Sequence, residues 1–315
     1  MDSGNKPANG KHPEFSVVVT CYYEEKSIDE FFSRLKRAMD SLNRSYEIIM
    51  VNDGSTDGTW EKLKGFRESD PKVTAVVDFF RNSGQQAGLT AAMCLAKGDH
   101  YIFMDSDLQL APEEIPVLVS EFDKGYDLVS GYRKDRKDPW ARLLPSKLAN
   151  MIMRKASKSE FRDFGCTFKV CRGRLIRGLE LGPHHLYSTV EAIANCARYT
   201  EIPVSHSPRR YGKSGWTFKK LWKYNMDNIL HLSDKPFQVI SGFSLLLALL
   251  FMVRILVDLF TPFHLLREVS NGLILNVLVI SMLVLFAILC LVGEFTIRSF
   301  LAVERVPKYI IREIL

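Results

Sequence analysis

Short β-branched and aromatic runs alternate with stretches of helical apolar spacing as far as residue 130, and this alternation limits the fold more than any other feature of the sequence. Strands are expected over 15–20, 46–51, 72–78, 101–104 and 126–130. Helices are expected over 27–41, 59–68 and 84–96 and after Pro112. In the first helix Ile28, Phe31, Phe32, Leu35 and Met39 share one face, and Ser27 with Glu30 forms a capping box at its start. Strands that alternate with helices are joined by right-handed crossovers, which gives an α/β fold with a mostly parallel sheet covered on both faces. Ligands of such sheets bind beyond the carboxyl ends of the strands. Glu24, Asp53 and Asp105 each follow an expected strand, so they should gather at one edge.

The stretch 101–109 reads YIFMDSDLQ. An apolar strand ends abruptly on Asp105-Ser106-Asp107, and Gln109 adds a neutral oxygen two residues on. Two carboxylates at this spacing reach one hard cation, and Mg2+ or Mn2+ takes oxygen ligands while leaving positions open for substrate phosphates. The same carboxylates also suit a turn and cap ahead of the helix at Pro112. The metal reading therefore depends on the rest of the chain.

The chain has 315 residues and a formal charge of +6, enough for one large domain and an appendage. Residues 1–13 are polar and read as a disordered tail without a secretory signal. Six scattered cysteines form no C-x-x-C pair, which points to reduced, mostly buried thiols and to neither a zinc site nor a disulfide framework. His184-His185 lacks a third ligand in sequence.

Beyond Lys134 the pattern changes. Residues 139–158 and 216–232 are basic and amphipathic and carry Trp140, Trp216 and Trp222, as helices lying in a membrane interface do; an ordinary packed surface helix shares the pattern. Two apolar segments follow, 239–260 and 272–297, each long enough to span a bilayer. The connection between them holds Arg267 as its one Lys or Arg, whereas Lys and Arg crowd both outer flanks. The positive-inside rule then places a hairpin over 237–298 with both termini, including the tail 299–315, in the cytoplasm. The result is an integral, multi-pass protein of the inner or plasma membrane, with the globular part at 14–233 cytoplasmic.

Six motifs in order carry a resemblance: Cys21-Tyr22-Tyr23-Glu24-Glu25, Val51-Asn52-Asp53-Gly54-Ser55-Thr56-Asp57-Gly58-Thr59, Arg81-Asn82-Ser83-Gly84-Gln85-Gln86, Asp105-Ser106-Asp107-Leu108-Gln109, Asp163-Phe164-Gly165-Cys166 and Arg209-Arg210-Tyr211-Gly212-Lys213-Ser214. Placed ahead of a membrane hairpin, they make the chain resemble the inverting family 2 glycosyltransferases of GT-A fold. Within these it is similar to the polyprenyl-phosphate glycosyltransferases, a group spanning dolichol-phosphate mannose synthase and the bacterial undecaprenyl-phosphate transferases of glucose and of 4-deoxy-4-formamido-arabinose.

The resemblance implies a GT-A, Rossmann-like sheet, a nucleotide-sugar donor (a UDP-sugar by preference), a polyprenyl phosphate acceptor at the bilayer, Mg2+ or Mn2+, and no nucleic acid. It also admits a homo-oligomer. It assigns Tyr22, Glu24, Asp53 and Gln85 to the donor, and Asp105, Asp107 and Gln109 to the metal and diphosphate. Arg133, Arg142, Ser146 and Arg209 fall to the transferring and acceptor phosphates, with Asp105, Asp107 and Arg209 central to catalysis. Two departures stand out. Thr20 and Tyr23 replace the Pro and Asn frequent at the first strand end, and Gly215 stands where a Lys frequently follows the serine, with Lys213 nearby. Glu191 lies where relatives that act on hydroxyls carry a catalytic aspartate; a lipid phosphate acceptor needs no such base, so no role is assigned to it. A processive synthase would need a Gln-x-x-Arg-Trp segment, which the sequence lacks. A membrane protein that binds nucleotide sugars without turnover is the rival of another class, and intact Asp105, Asp107 and Arg209 speak against it.

Overall fold

In a computed structural model the chain divides into two compact units, Met1–Leu232 with Pro307–Leu315, and Ser233–Val306. The structure describes residues 12–134, 159–208 and 306–315 throughout, together with single positions between 151 and 157, at 246, and between 278 and 303.

The first unit is built on an eight-stranded sheet of order β7-β5-β6-β4-β1-β2-β3-β8. Strands β1 (Phe15–Cys21), β2 (Tyr46–Asn52), β3 (Val73–Phe79) and β4 (His100–Asp105) form its parallel centre. Every residue of β1 and β2 is buried, which is why both read as unbroken apolar runs rather than alternating ones. Helices α1 (Ile28–Ser41), α2 (Thr59–Ser69) and α4 (Ile115–Phe122) pack with one apolar cluster, and α3 (Gln85–Leu95) with the other. Small residues bring α3 close: a Cβ on Gly88 would stand 2.7 Å from the Thr20 methyl.

The remaining strands depart from a simple parallel sheet. Strand β6 (Lys169–Arg172) enters antiparallel between β4 and β5 (Leu128–Arg133), and β7 (Tyr199–Val204) pairs parallel with β5. Strand β8 (Ile311–Ile314) pairs antiparallel with β3, so the tail expected over 299–315 includes a strand of the catalytic sheet.

The capping box expected at α1 is absent. The Ser27 side chain makes no cap bond and donates instead to the Glu24 carboxylate and, at 3.2 Å, to the Glu24 carbonyl. Cys21, Cys166 and Cys171 are buried thiols, whereas Cys94 is exposed. Residues 135–150, which include most of the first expected interface helix, and the whole of 216–232 lie outside the described residues. At the far end of the first segment Met153 and Ser157 are buried, so its last turn packs into the protein.

In the second unit the described positions from Leu278 to Val303 are helical. Leu278, Met282, Leu285, Leu289 and Val292 are all exposed there. Among the described residues no helix is long and apolar enough to cross a membrane. The expected span 239–260 falls outside them except for Leu246.

Two glycines make opposite predictions for the packing. Gly54 has φ +68°, and a Cβ there would stand 2.5 Å from the Arg81 carbonyl carbon. Gly54→Ala should lower stability by about 2–4 kcal/mol through strain and overlap. Gly65, exposed within α2 with nothing within 4 Å of its Cβ position, should gain about 0.5–1 kcal/mol as Ala. Thermal melting of the two variants checks this, and a Gly54→Ala protein that melts with the parent would contradict the packing described.

Candidate active site

The carboxyl ends of β1, β2 and β4 lie side by side, with Cys21 opposite Asn52 and Thr20 opposite Asp105. The three expected acidic positions are therefore brought to one edge by register alone.

Asp105 closes β4, and the chain then turns sharply through Ser106, Asp107 and Leu108. Ser106 Oγ donates to the Thr20 carbonyl at 2.9 Å, the Gln109 backbone N–H donates to Asp107 Oδ1 at 3.1 Å, and Leu108 takes φ +57°. Gln85, at the start of α3, donates through Nε2 to Asp105 Oδ1 and, at 2.9 Å, to Thr167 Oγ1. Burial first, and the neighbouring Asp107 charge second, push the Asp105 carboxyl from 3.8 up to about 6. Thr167, Gln85 and Lys169 oppose that shift.

The cleft around this pair is lined by Asp105, Asp107, Gln109, Leu110, Arg133, Gly165, Cys166, Thr167 and His206. Two carboxylates, an amide oxygen and a guanidinium in one lining suit a diphosphate with its cation.

Arg133 lies in the same cleft, with its fork held by Asp163: Nε to Oδ2 and Nη2 to Oδ1, each 2.8 Å. The Asp163 motif thus orients Arg133 instead of facing a ligand alone. Lys169 is 1 % exposed on β6, paired in register with Phe103 and Ser130. Burial lowers its amine, while Cys166, Asp163 and Asp105 resist that shift.

On the β1–β2 side the residues expected at the donor take distinct positions. Tyr22 and Tyr23 are exposed and meet edge to face, with centroids 4.6 Å apart. Tyr23 has φ +57°, the left-handed region that Asn tolerates and Tyr rarely adopts. Its N–H donates to Ser55 Oγ at 3.0 Å, and its hydroxyl is 2.9 Å from Thr56 Oγ1. Glu24 is buried and accepts from Ser27. The Asp53 carboxylate receives Asn82 Nδ2 at 2.9 Å, the Ser83 N–H at 2.6 Å and the Gly84 N–H at 2.9 Å. Asp53 thereby shapes the 82–84 loop.

Arg142, Ser146 and Arg209 lie outside the described residues. Thr167, Lys169 and His206 were not expected from the sequence, although Thr167 directly follows the Asp163–Cys166 motif, Lys169 stands three residues beyond it and His206 three residues ahead of Arg209. Glu191 is 3.0 Å from His185 Nε2, both partly exposed, so His185 is engaged with a carboxylate. Among the described residues no group of three or more His, Cys, Asp or Glu is placed to hold a metal. The donor set on offer is two carboxylates and the Gln109 amide oxygen. Its all-oxygen character and the enforced proximity of two anions suit a hard divalent cation.

Residues 16–178 match the Glycosyl transferase family 2 domain. The chain is 33 % identical over 304 residues to the undecaprenyl-phosphate 4-deoxy-4-formamido-L-arabinose transferase of Edwardsiella ictaluri, covering 95 % of this chain and 93 % of that one. The protein of the same name from Enterobacter sp. is 30 % identical with the same coverage. Among solved structures, glucosyl-3-phosphoglycerate synthase from Mycobacterium tuberculosis, in complex with Mn2+, uridine-diphosphate-glucose and phosphoglyceric acid, superposes with TM-score 0.51 at 16 % identity. That match covers 70 % of this chain and 78 % of the other, and it bears on the fold alone.

The raised Asp105 carboxyl sets a pH dependence. The folded chain holds this proton more tightly than the unfolded one, so the ionised group destabilises the metal-free fold above about pH 6. The penalty is relieved as pH falls through 6 toward 4. Asp105→Asn, neutral throughout, should therefore raise the metal-free melting temperature at pH 7.5, by the equivalent of about 1–3 kcal/mol, and converge with the parent only as pH falls below the unfolded value of 3.8. Melting curves in chelator that run parallel across this range would contradict the assignment.

Proposed function

The chain belongs to glycosyl transferase family 2, and on that premise we propose that it transfers a sugar from a nucleotide-sugar donor, a UDP-sugar by preference, to a membrane polyprenyl phosphate. The observation that carries this reading is the Asp105–Asp107 pair, set at the strand edge beside Arg133 in one cleft. It occurs in a chain that matches undecaprenyl-phosphate sugar transferases along 95 % of its length.

The donor base lies along Tyr22, supported by the loops that Glu24 and Asp53 organise, and the diphosphate extends to Asp105 and Asp107. Gln85 positions the Asp105 carboxylate. A divalent ion, Mg2+ or Mn2+, held by Asp105, Asp107 and the Gln109 amide oxygen, would neutralise charge on the leaving diphosphate. The acceptor is a phosphate monoester, whose second pKa of about 6 leaves it an anionic oxygen at pH 7. That oxygen bonds to the anomeric carbon from the face opposite the diphosphate, the carbon–diphosphate bond breaks, and configuration inverts. No proton has to be removed, so no general base is required, and Glu191 keeps no part in the chemistry. Arg133, held in place by Asp163, and Arg142, Ser146 and Arg209 take the transferring and acceptor phosphates with charge-assisted hydrogen bonds.

Turnover tests both halves of the site. With undecaprenyl phosphate in detergent and a panel of UDP-sugars led by UDP-4-deoxy-4-formamido-L-arabinose, Asp107→Asn should abolish transfer while leaving the fold intact. Arg142→Ala should lower kcat/KM for the lipid phosphate by roughly 30- to 1000-fold, the loss of a charged contact of about 2–4 kcal/mol. Lys147→Ala serves as the comparison. Arg154, on the same segment, donates to the Phe161 carbonyl at 2.7 Å and is unsuited to that purpose. Full activity of Asp107→Asn refutes the metal assignment. Equal losses at Arg142 and Lys147 move the acceptor phosphate elsewhere, with Arg209 next to test.

The same reading makes 239–260 and 272–297 membrane spans, with the catalytic unit and both termini in the cytoplasm. A cysteine placed at Ser270 should then react with an impermeant thiol reagent from outside intact cells. Protection at that position would reverse the orientation.

A further inference from the structure

Strand β8 reaches the donor side of the sheet through one residue. In its pairing with β3, Asp78 stands opposite Glu313 and Phe79 opposite Ile311, with the register shifting between them. Arg312 is the extra residue of that irregularity, the kind of position that re-aims a side chain. Its Nη1 lies 3.0 Å from Asp78 Oδ2, and its Nη2 donates to the Phe80 carbonyl at 3.1 Å.

Asp78 is 1 % exposed and plays no part in the cleft described above. Its other oxygen accepts from Asn52 Nδ2 at 2.7 Å. Asn52 Oδ1 in turn accepts the Ser55 N–H at 3.3 Å, and Ser55 Oγ accepts the Tyr23 N–H. The line from Arg312 thus ends at the tyrosine pair. The loops after β2 and β3 are also bound to each other, through Asp53 and the close contact of Gly54 with Arg81. Arg312 holds the root of both.

We propose that Arg312 is a positioning residue of the donor site, and that the carboxyl-terminal strand acts, through Asp78 and Asn52, to hold the Tyr22–Ser55 loop in its nucleotide-binding arrangement. The inference rests on the reading that places the donor base along Tyr22. Without Arg312, Asp78 remains a buried anion whose neutral partner is Asn52. Asn52 is then drawn from Ser55, and the left-handed turn at Tyr23 loses its support. The chain leaves the catalytic unit at 232, and only after residues 233–306 does it supply this support.

The test is UDP affinity, measured by calorimetry with Mn2+ on the full chain in detergent, below the melting temperature of every variant. Arg312→Ala should weaken UDP binding tenfold or more. Arg312→Lys, which keeps the charge, should stay within about threefold of the parent, as should the strand control Glu313→Ala. Asp78→Asn combined with Arg312→Ala removes the uncompensated charge and should fall between the parent and Arg312→Ala, at least threefold weaker than the parent. The double variant answers the question alone if Arg312→Ala does not fold, and parental affinity in it overturns the inference. Tyr22→Ala separates the two readings. If it weakens UDP binding and Arg312→Ala does not, Arg312 only fastens an edge strand and this inference fails alone. If Tyr22→Ala leaves UDP affinity unchanged, the base lies elsewhere and both readings fall.

Discussion

Two like charges held together out of full contact with water are the constraint on which this site depends. Asp105 and Asp107 flank one tight turn, and the Asp105 carboxyl is lifted because burial and its neighbour both oppose ionisation. Left to themselves the carboxylates would separate or take up protons. Here β4 fixes one of them, the Gln109 N–H restrains the other, and Gln85 reaches across from α3 to keep Asp105 turned toward the cleft. Arg133 and Lys169 place positive charge nearby without neutralising the pair directly, since Arg133 is engaged with Asp163 and Lys169 is buried on β6. Such an arrangement favours whatever brings concentrated positive charge to the two oxygens, which is what a leaving diphosphate also requires.

The β1–β2 side of the edge follows a different logic, in which acidic residues act on backbone. Asp53 gathers two N–H groups and a side-chain amide of the neighbouring loop, and Glu24 accepts from Ser27. Both carboxylates therefore preorganise the edge, while the exposed surface a base would meet is the Tyr22–Tyr23 pair. Tyr23 holds a left-handed conformation that Asn adopts more readily than Tyr. This chain sustains the turn with the bonds to Ser55 and Thr56, and gains a second aromatic ring beside the first.

The return of the chain as β8 also closes the sheet at β3. Without β8, that strand would present a bare edge. With it, Val76 exchanges two backbone hydrogen bonds with Leu315, and Tyr309 stacks on Phe79 with centroids 5.0 Å apart. The edge is thus covered by a segment remote in sequence, and folding of the catalytic sheet is complete only when residues on both sides of 233–306 are in place.

The elements from β1 to β5 were legible in the sequence because each is a local pattern: apolar runs for strands buried on both faces, 3.6-residue spacing in α1, and Asp, Asn or Gly at the strand ends. Parallel connection rules then brought Glu24, Asp53 and Asp105 to one edge without further information. Tertiary structure decided what those side chains touch. Ser27 and Glu30 have the spacing of a capping box, yet Ser27 turned to Glu24, because a hydroxyl bonds whatever acceptor the chain brings nearest. Asp53, expected at the nucleotide, also anchors a loop that follows another strand, which no local pattern announces. Asp163 read as part of a motif and proved to be the partner of Arg133, 30 residues away. Strands β6 and β8 are four residues each, too short for periodicity to reveal, and their places in the sheet come from pairing across long separations. Arg312 and Asp78 are 234 positions apart. A local sequence pattern records how each segment folds on itself, whereas the partner of a buried charge is chosen by proximity, and only the folded chain sets that.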